Sequence, residues 1–122
     1  MKVWAVSIVA TIYKICERAA WTVAEQAGLY RGSELDARDG FIHFSSAEQL
    51  AETAAKHFAR QTDLMLVAVN AAALGDALKW EPSRGGALFP HLYGALPLAA
   101  VRWAESLPDE VDGRRNLPEL QP

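Results

Sequence analysis

Cysteine is nearly absent from this 122-residue sequence, and so is any strong excess of one charge. Its one cysteine, Cys16, excludes an intrachain disulfide and any metal site built only from cysteines. Because chains without disulfides are typical of reducing compartments, we expect a cytoplasmic protein. A formal net charge of −3 and a pI of about 5.6 argue against a dedicated nucleic-acid binder, which usually carries a basic face.

Long apolar runs are missing as well. The apolar stretch at residues 3–10 is too short to span a membrane, so no membrane partner is expected. It resembles the apolar part of a signal peptide only weakly, since a single lysine precedes it and no clear cleavage site follows. We interpret residues 1–11 as a strand or an N-terminal extension, with a targeting segment as the alternative.

The common catalytic motifs are also absent. The sequence holds no phosphate-binding P-loop, no G-x-G-x-x-G dinucleotide motif, no G-x-S-x-G nucleophile turn and no H-E-x-x-H zinc motif. Three histidines are available to a metal, but only His43 and His91 lie in segments with functional character. We therefore expect no metal site.

The bulk composition is that of a folded domain. A hydrophobic content of 51% and a charged content of 22% exclude a disordered chain. A chain of this length buries a core without disulfides or metals, and it fits one domain. We predict a single domain over residues 1–122, with an extended or mobile tail over residues 108–122, where prolines and charges accumulate.

Apolar periodicity predicts strands and helices in mixed order. The continuous apolar run at residues 63–70 predicts a central strand that is buried on both faces. Two main helices are predicted at residues 17–27 and 47–59, and residues 30–38 are predicted to form a loop. Regular strand–helix–strand alternation is missing, which favours an α+β fold around a bent or split sheet. The other strands are predicted at residues 12–15, 41–45, 78–81 and 98–106.

The strand at residues 41–45 carries the first candidate site. The two-residue period of a strand places His43 and Ser45 on one face. An imidazole is able to hydrogen-bond a ribose or a phosphate, and it exchanges protons near neutral pH. The alternatives are that His43 is a satisfied core histidine and that Ser45 only caps the following helix.

The second candidate site lies between Glu81 and Gly94. Arg84 stands in a glycine-flanked loop, where its guanidinium is able to hold a phosphate through two bonds. Glu81 is able to orient a ribose hydroxyl or to stabilise a developing positive charge, although a surface ion pair with Arg84 is the alternative. We take His43, His91 and Glu81 as candidate catalytic residues. The candidate ligand-binding residues are Tyr13, Trp21, Ser45, Arg84 and Tyr93.

Two segments at these candidate sites resemble a known protein family. Gly40-Phe41-Ile42-His43-Phe44-Ser45 and Phe89-Pro90-His91-Leu92-Tyr93-Gly94 stand in the order and at the distance found in the domain of unknown function 952 family. Trp21 in the first helix and Leu78-Lys79-Trp80-Glu81 add to the match. The sequence resembles that family from about Ile12 to Val101, and residues 1–11 lie outside the pattern.

This resemblance carries implications for fold and function. The family is similar in fold to ADP-ribosyltransferases, and the strand with His43 is similar to a strand of the RNA 2′-phosphotransferases that share that fold. The resemblance implies a split β-core with NAD or an ADP-ribosylated intermediate in a central cleft. It implies that His43 and Ser45 face this cleft, and that Tyr13 or Lys14 lies nearest to the family position that binds ribose.

The implied function is therefore binding of a small nucleotide-type ligand. NAD is the implied cofactor, and the implied reaction is transfer or hydrolysis of an ADP-ribosyl or phosphoryl group. Two alternatives stay open, namely a non-catalytic binding module for a small anionic metabolite and a structural or interaction protein. The sequence leaves the oligomeric state open.

Overall fold

Strands and helices alternate irregularly in the computed structural model, which describes residues 10–122 apart from the side chain of Arg84. The prediction for residues 1–11 therefore falls almost wholly outside the described residues. The strands are β1 (Thr11–Glu17), β2 (Leu29–Tyr30), β3 (Ile42–His43), β4 (Leu64–Asn70), β5 (Leu78–Pro82), β6 (Leu88–Leu92), β7 (Leu96–Pro97) and β8 (Val101–Leu107). The α-helices are α1 (Arg18–Ala27), α2 (Glu34–Asp39) and α3 (Leu50–His57). Short 3₁₀ segments cover Ala71–Ala77, Arg84–Gly86 and Leu98–Ala100.

Strand β4 is the centre of the first sheet, where it pairs with β1 on one side and with β8 on the other. Alternate side chains of β4 enter two different apolar clusters. Val67 packs in the cluster that contains α1, and Leu66 packs in the cluster that contains α3. The prediction of a central strand that is buried on both faces is confirmed, because each face of β4 meets a helix.

A second sheet has the strand order β3-β6-β5, and β2 pairs with β7 in a separate two-stranded sheet. The two larger sheets are joined by Tyr13 and Ser45. The Tyr13 N–H donates to the Ser45 carbonyl at 2.8 Å, and the Ser45 N–H donates to the Tyr13 carbonyl at 2.9 Å. Helices pack beside antiparallel strands, and the predicted α+β class is confirmed.

The predicted loop at residues 30–38 is wrong in its second half, where α2 forms. Ser33 and Asp36 make a capping box at the start of this helix. The Asp36 N–H donates to Ser33 Oγ at 3.2 Å, and the Ser33 N–H donates to Asp36 Oδ2 at 2.8 Å. The Ser-x-x-Asp pattern that marks such a start is present in the sequence.

Several element boundaries also differ from the predictions. Helix α3 begins at Leu50 rather than near residue 47, and Ser46 and Gln49 form reciprocal hydrogen bonds in the turn before it. The predicted strand at residues 41–45 is reduced to Ile42–His43, because Ser45 pairs with β1 instead of β6. The last strand begins at Val101, since a 3₁₀ turn covers Leu98–Ala100.

The C-terminal tail is extended but anchored. Tyr13 Oη donates to the Gln121 carbonyl at 2.7 Å and accepts from the Gln121 N–H at 2.8 Å. The Arg115 guanidinium donates to the Phe58 carbonyl at 2.6 Å, and Leu117 and Leu120 pack against the cluster around α3. The tail therefore covers the α3 side of the first sheet. No helix of residues 10–122 is both long enough and apolar enough to span a membrane.

Candidate functional site

Asp36 links the elements that build the site. Its carboxylate is almost completely buried, with 2% of the residue exposed. Oδ2 accepts from Lys14 Nζ at 2.8 Å, and Oδ1 accepts from the backbone N–H of His43 at 3.1 Å. His43 Nδ1 also lies 2.6 Å from Oδ1 and is the donor, because a carboxylate only accepts. One side chain thus ties β1, α2 and β3 together.

The surroundings of Asp36 favour the ionised form of its carboxyl group. Burial alone raises the pKa of the carboxyl group, but hydrogen bonds from His43 and the nearby charge of Lys14 outweigh burial. The net result holds the pKa of Asp36 well below its usual range. Since Lys14 is also buried, the two residues form a buried ion pair at 2.8 Å.

The outer edge of His43 is open to solvent. Its side chain is 31% exposed, and Nε2 lies 3.0 Å from Asp39 Oδ2. Each ring nitrogen therefore faces a carboxylate, and an imidazole donates from both nitrogens only as the imidazolium. A ligand that approaches from solvent meets Nε2 and Asp39 together.

His91 lies beside His43 across the β3–β6 ladder and is 4% exposed. Its Nδ1 is 2.8 Å from Glu81 Oε1, and Tyr93 Oη donates to the same oxygen at 2.8 Å. These bonds, first from His91 and then from Tyr93, lower the pKa of Glu81. The bond to Glu81 raises the pKa of Tyr93, because it favours the protonated phenol. Glu81 is therefore held as a carboxylate.

The Phe41 ring packs against the side chains of both histidines and of Tyr93. The ring stacks on His91 with a centroid distance of 4.0 Å and an interplanar angle of 24°. The Phe41 centroid lies 4.6 Å from that of His43 and 5.4 Å from that of Tyr93. We call Phe41, His43, His91 and Tyr93 the aromatic–histidine cluster. Phe41 and His43 are partly exposed and Tyr93 is 44% exposed, so the cluster presents ring surfaces to solvent.

The structure brings four of the predicted site residues together, namely His43, His91, Glu81 and Tyr93. Arg84 lies in a 3₁₀ turn of the loop after β5, and its side chain lies outside the described part of the chain. For these five residues, a role in binding or catalysis stays a prediction.

Three other predicted residues lie away from the cluster. Ser45 is buried and shares a hydrogen bond of 2.7 Å with Thr53 Oγ1 of α3. Tyr13 binds the tail at Gln121, and Trp21 is buried against Tyr30 with ring centroids 5.9 Å apart. The predicted roles of Ser45, Tyr13 and Trp21 in ligand binding remain predictions that these contacts do not support.

Sequence analysis did not identify Phe41, Asp36, Asp39 and Lys79 as members of the site, and it did not predict the pairing of Lys14 with Asp36. Phe41 stands two residues before His43, so strand periodicity was a signal for it. Asp36 has the capping-box position as its signal, whereas Lys14 has no local signal because its partner lies 22 residues away. Lys79 pairs with His91 in the β5–β6 ladder, and this places an exposed cation beside the cluster.

The arrangement offers acid–base and stacking chemistry. In the part of the chain that the structure describes, no group of three or more His, Cys, Asp or Glu side chains is suited to hold a metal ion. Imidazoles and carboxylates bind hydroxyl groups, and the open aromatic faces bind planar rings.

Comparisons with known proteins identify a matching family and similar solved structures. A family of proteins of unknown function, DUF952, matches residues 15–104 of the chain. The crystal structure of protein CC0527 from Caulobacter crescentus is 50% identical, with 87% of this chain and 93% of that chain covered and a TM-score of 0.83. The solution NMR structure of CC0527 is 50% identical, with 86% and 90% covered and a TM-score of 0.76. No curated protein matches the sequence significantly.

Proposed function

The chain belongs to the DUF952 family, and we propose that it binds a nucleotide-type ligand, NAD or ADP-ribose, at the aromatic–histidine cluster. The observation that carries this proposal is the stacking of Phe41 on His91 at 4.0 Å beside the partly exposed rings of His43 and Tyr93. Stacking of a base on an aromatic side chain is worth about 1–3 kcal/mol. The cluster supplies such a surface next to hydrogen-bonding groups.

The ribose fits the polar rim of the cluster. A ribose hydroxyl placed between His43 and Asp39 would accept from Nε2 and donate to the carboxylate. It would replace the direct contact of 3.0 Å between those two side chains. Among the described side chains, His91 and Tyr93 both contact Glu81 through Oε1, so a second hydroxyl of the ligand would donate to Oε2.

The site offers charged groups of both signs to a nucleotide-type ligand. Of its three carboxylates, Asp36 pairs with the buried Lys14, Asp39 lies 3.7 Å from Arg38 Nε, and Glu81 lies near Lys79. The oxidised nicotinamide ring is a cation, which aromatic faces and carboxylates attract. The phosphates of such a ligand would bind to Lys79, which is exposed beside the cluster, and to Arg84.

The catalytic part of the proposal concerns Glu81. In ADP-ribosyl transfer the bond between ribose and nicotinamide breaks, and its electron pair leaves with the nicotinamide. Positive charge then develops on the ribose carbon until water or another acceptor attacks it. The Glu81 carboxylate would stabilise this charge, and His91 would act through Glu81 as a positioning residue. The join between the two sheets at Tyr13 and Ser45 supports the further proposal of an ADP-ribosyltransferase-like split β-core.

Calorimetric titration with NAD and with ADP-ribose tests the proposal. We expect saturable binding that weakens about 5- to 150-fold in Phe41→Ala, which corresponds to the stacking energy of one base. His43→Ala is expected to weaken binding as well. Phe58→Ala, at the end of α3 and on the far side of the first sheet, is the matched control and should bind normally. Absence of binding at millimolar ligand, or equal binding in Phe41→Ala and Phe58→Ala, would contradict the proposal.

Turnover is measured separately from binding. Release of nicotinamide from NAD, followed by chromatography, is expected in the native chain and should be lost in Glu81→Gln. Binding without nicotinamide release would identify a non-catalytic binding module that uses the same cluster.

A second candidate function follows from the same hydrogen bonds. Both ring nitrogens of His43 and the Nδ1 of His91 are held by carboxylates, which is also how histidines brace a structure. If bracing is their only role, His43→Ala lowers the melting temperature and no nucleotide raises it. A thermal-shift titration with NAD separates the two functions, because a ligand that binds the native state raises its stability.

A further inference from the structure

The outer edge of β5 has features of an interface. Strand β5 is the last strand of the sheet β3-β6-β5, and within residues 10–122 it pairs only with β6. Unpaired strand edges offer a row of hydrogen-bonding groups to another chain. The register of β5 shows which groups these are.

Trp80 turns its main chain outward. The Phe44 N–H donates to the Pro90 carbonyl at 3.0 Å, so this carbonyl points toward β3. In an antiparallel ladder these directions alternate, so Trp80, the partner of Pro90, points its N–H and carbonyl away from β6. The bond from the Tyr93 N–H to the Ala77 carbonyl at 2.8 Å fits the same alternation. Trp80 therefore offers one donor and one acceptor at the open edge.

The charges of β5 are complementary to those of a second, antiparallel copy of the same strand. In Leu78-Lys79-Trp80-Glu81-Pro82, a cation and an anion flank the central tryptophan. Two antiparallel copies that are centred on Trp80 place Lys79 of each copy opposite Glu81 of the other. Lysine on an edge strand normally discourages pairing, but here the partner strand carries the matching carboxylate.

An exposed apolar patch lies on the other face of the same edge. Trp80 is 44% exposed and Leu88 is 50% exposed. The register places Trp80 opposite Pro90 and Pro82 opposite Leu88, so Trp80, Pro82 and Leu88 share one face of the sheet with the buried Pro90. A second copy that is related by a two-fold axis would bring two such patches together.

We propose that two copies of this chain associate through β5 into a symmetric dimer with a continuous sheet. The Trp80 main chains exchange two hydrogen bonds across the axis, and two Lys79–Glu81 ion pairs form on either side of it. The occupant of the edge is a second copy, because the charge order Lys-x-Glu matches itself in the antiparallel direction. Each protomer also places Lys79 next to its partner's Glu81, which is hydrogen-bonded to His91 and Tyr93 of the aromatic–histidine cluster. Lys79 and Glu81 are also assigned to the proposed ligand, so the dimer is tested without any nucleotide.

Sedimentation equilibrium from micromolar to millimolar protein tests the dimer. We expect reversible dimerisation that weakens about tenfold or more in Lys79→Glu, since each ion pair becomes a pair of like charges. Lys56→Glu, on the exposed side of α3, makes the same change in net charge and should dimerise normally. Salt at about 1 M, where charges are screened within about 3 Å, should also weaken the native dimer.

A second variant tests the backbone contact. Trp80→Pro removes an N–H that does not take part in the β5–β6 ladder, so circular dichroism should show a folded chain. The dimer is expected to be lost in this variant. A native chain that stays monomeric up to millimolar concentration overturns the proposal. The proposal is also overturned if the native chain, Lys79→Glu and Trp80→Pro dimerise equally. It is overturned as well if Lys79→Glu and Lys56→Glu weaken the dimer equally.

Discussion

Replacement of Asp36 by asparagine is expected to lower the free energy of unfolding by about 3–5 kcal/mol, the usual cost of breaking a buried ion pair from one side. The change leaves the charge of Lys14 buried without its partner at 2.8 Å. It also weakens the two hydrogen bonds that orient His43, since the Nδ1 and the backbone N–H of His43 both donate to the Asp36 carboxylate. Urea denaturation at neutral pH measures the loss.

Asp39→Asn is the matched control for this prediction. Asp39 also contacts His43, but its side chain is 36% exposed, and exposed ion pairs contribute about 0–1 kcal/mol. The two variants differ mainly in whether the lost carboxylate is buried. Costs of similar size for Asp36→Asn and Asp39→Asn would show that the buried pair does not stabilise the fold in the way described.

The same carboxylate makes stability dependent on pH. Its pKa is lower in the folded chain than in the unfolded chain, where an aspartate titrates near about 3.9. The unfolded state therefore binds more protons below about pH 5, and stability falls as the pH falls toward the lowered pKa. The difference in unfolding free energy between the native chain and Asp36→Asn should shrink over this acid range.

Gly32→Ala is expected to lower the free energy of unfolding by about 2–5 kcal/mol, from left-handed backbone strain and overpacking together. Gly32 has a φ of +100°, and a Cβ at this position would lie 2.8 Å from the Cβ of Asp36. Asp36 would have to move, and His43 would lose its orientation. The variant should therefore also bind NAD more weakly in calorimetry.

Gly28→Ala separates the clash from the backbone strain. Gly28 also has a positive φ, +81°, but a Cβ there would meet nothing within 4 Å. Its cost should be limited to the strain of about 1–2 kcal/mol, and NAD binding should be unchanged. Equal costs for Gly28→Ala and Gly32→Ala in urea denaturation would mean that Asp36 is free to move.

The central strand was predictable because its signal is local. The run from Leu64 to Asn70 is apolar at six successive positions, and only a strand that is covered on both faces requires such a run. The reciprocal bonds between Ser46 and Gln49 just before α3 were predictable for the same reason, since the two residues stand three positions apart in the sequence.

The connections of the site were not predictable from local patterns. Lys14 and Asp36 are 22 residues apart, and only the packing of α2 against β1 brings them together. Helical periodicity left Trp21 beside an apolar face, but tertiary packing against Tyr30 decided that it lies in the core. Ser45 was predicted on the face of His43, yet its pairing with β1 turns it to Thr53 of α3.

The most direct test of the proposed ligand site is an NMR titration of the chain with NAD. We predict saturable shifts in the resonances of Phe41, His43 and Tyr93, and none in the indole N–H of the buried Trp21. Shifts confined to another surface, such as the groove lined by Ala51 and Leu117 between α3 and the tail, would contradict the account, and so would the absence of any shift.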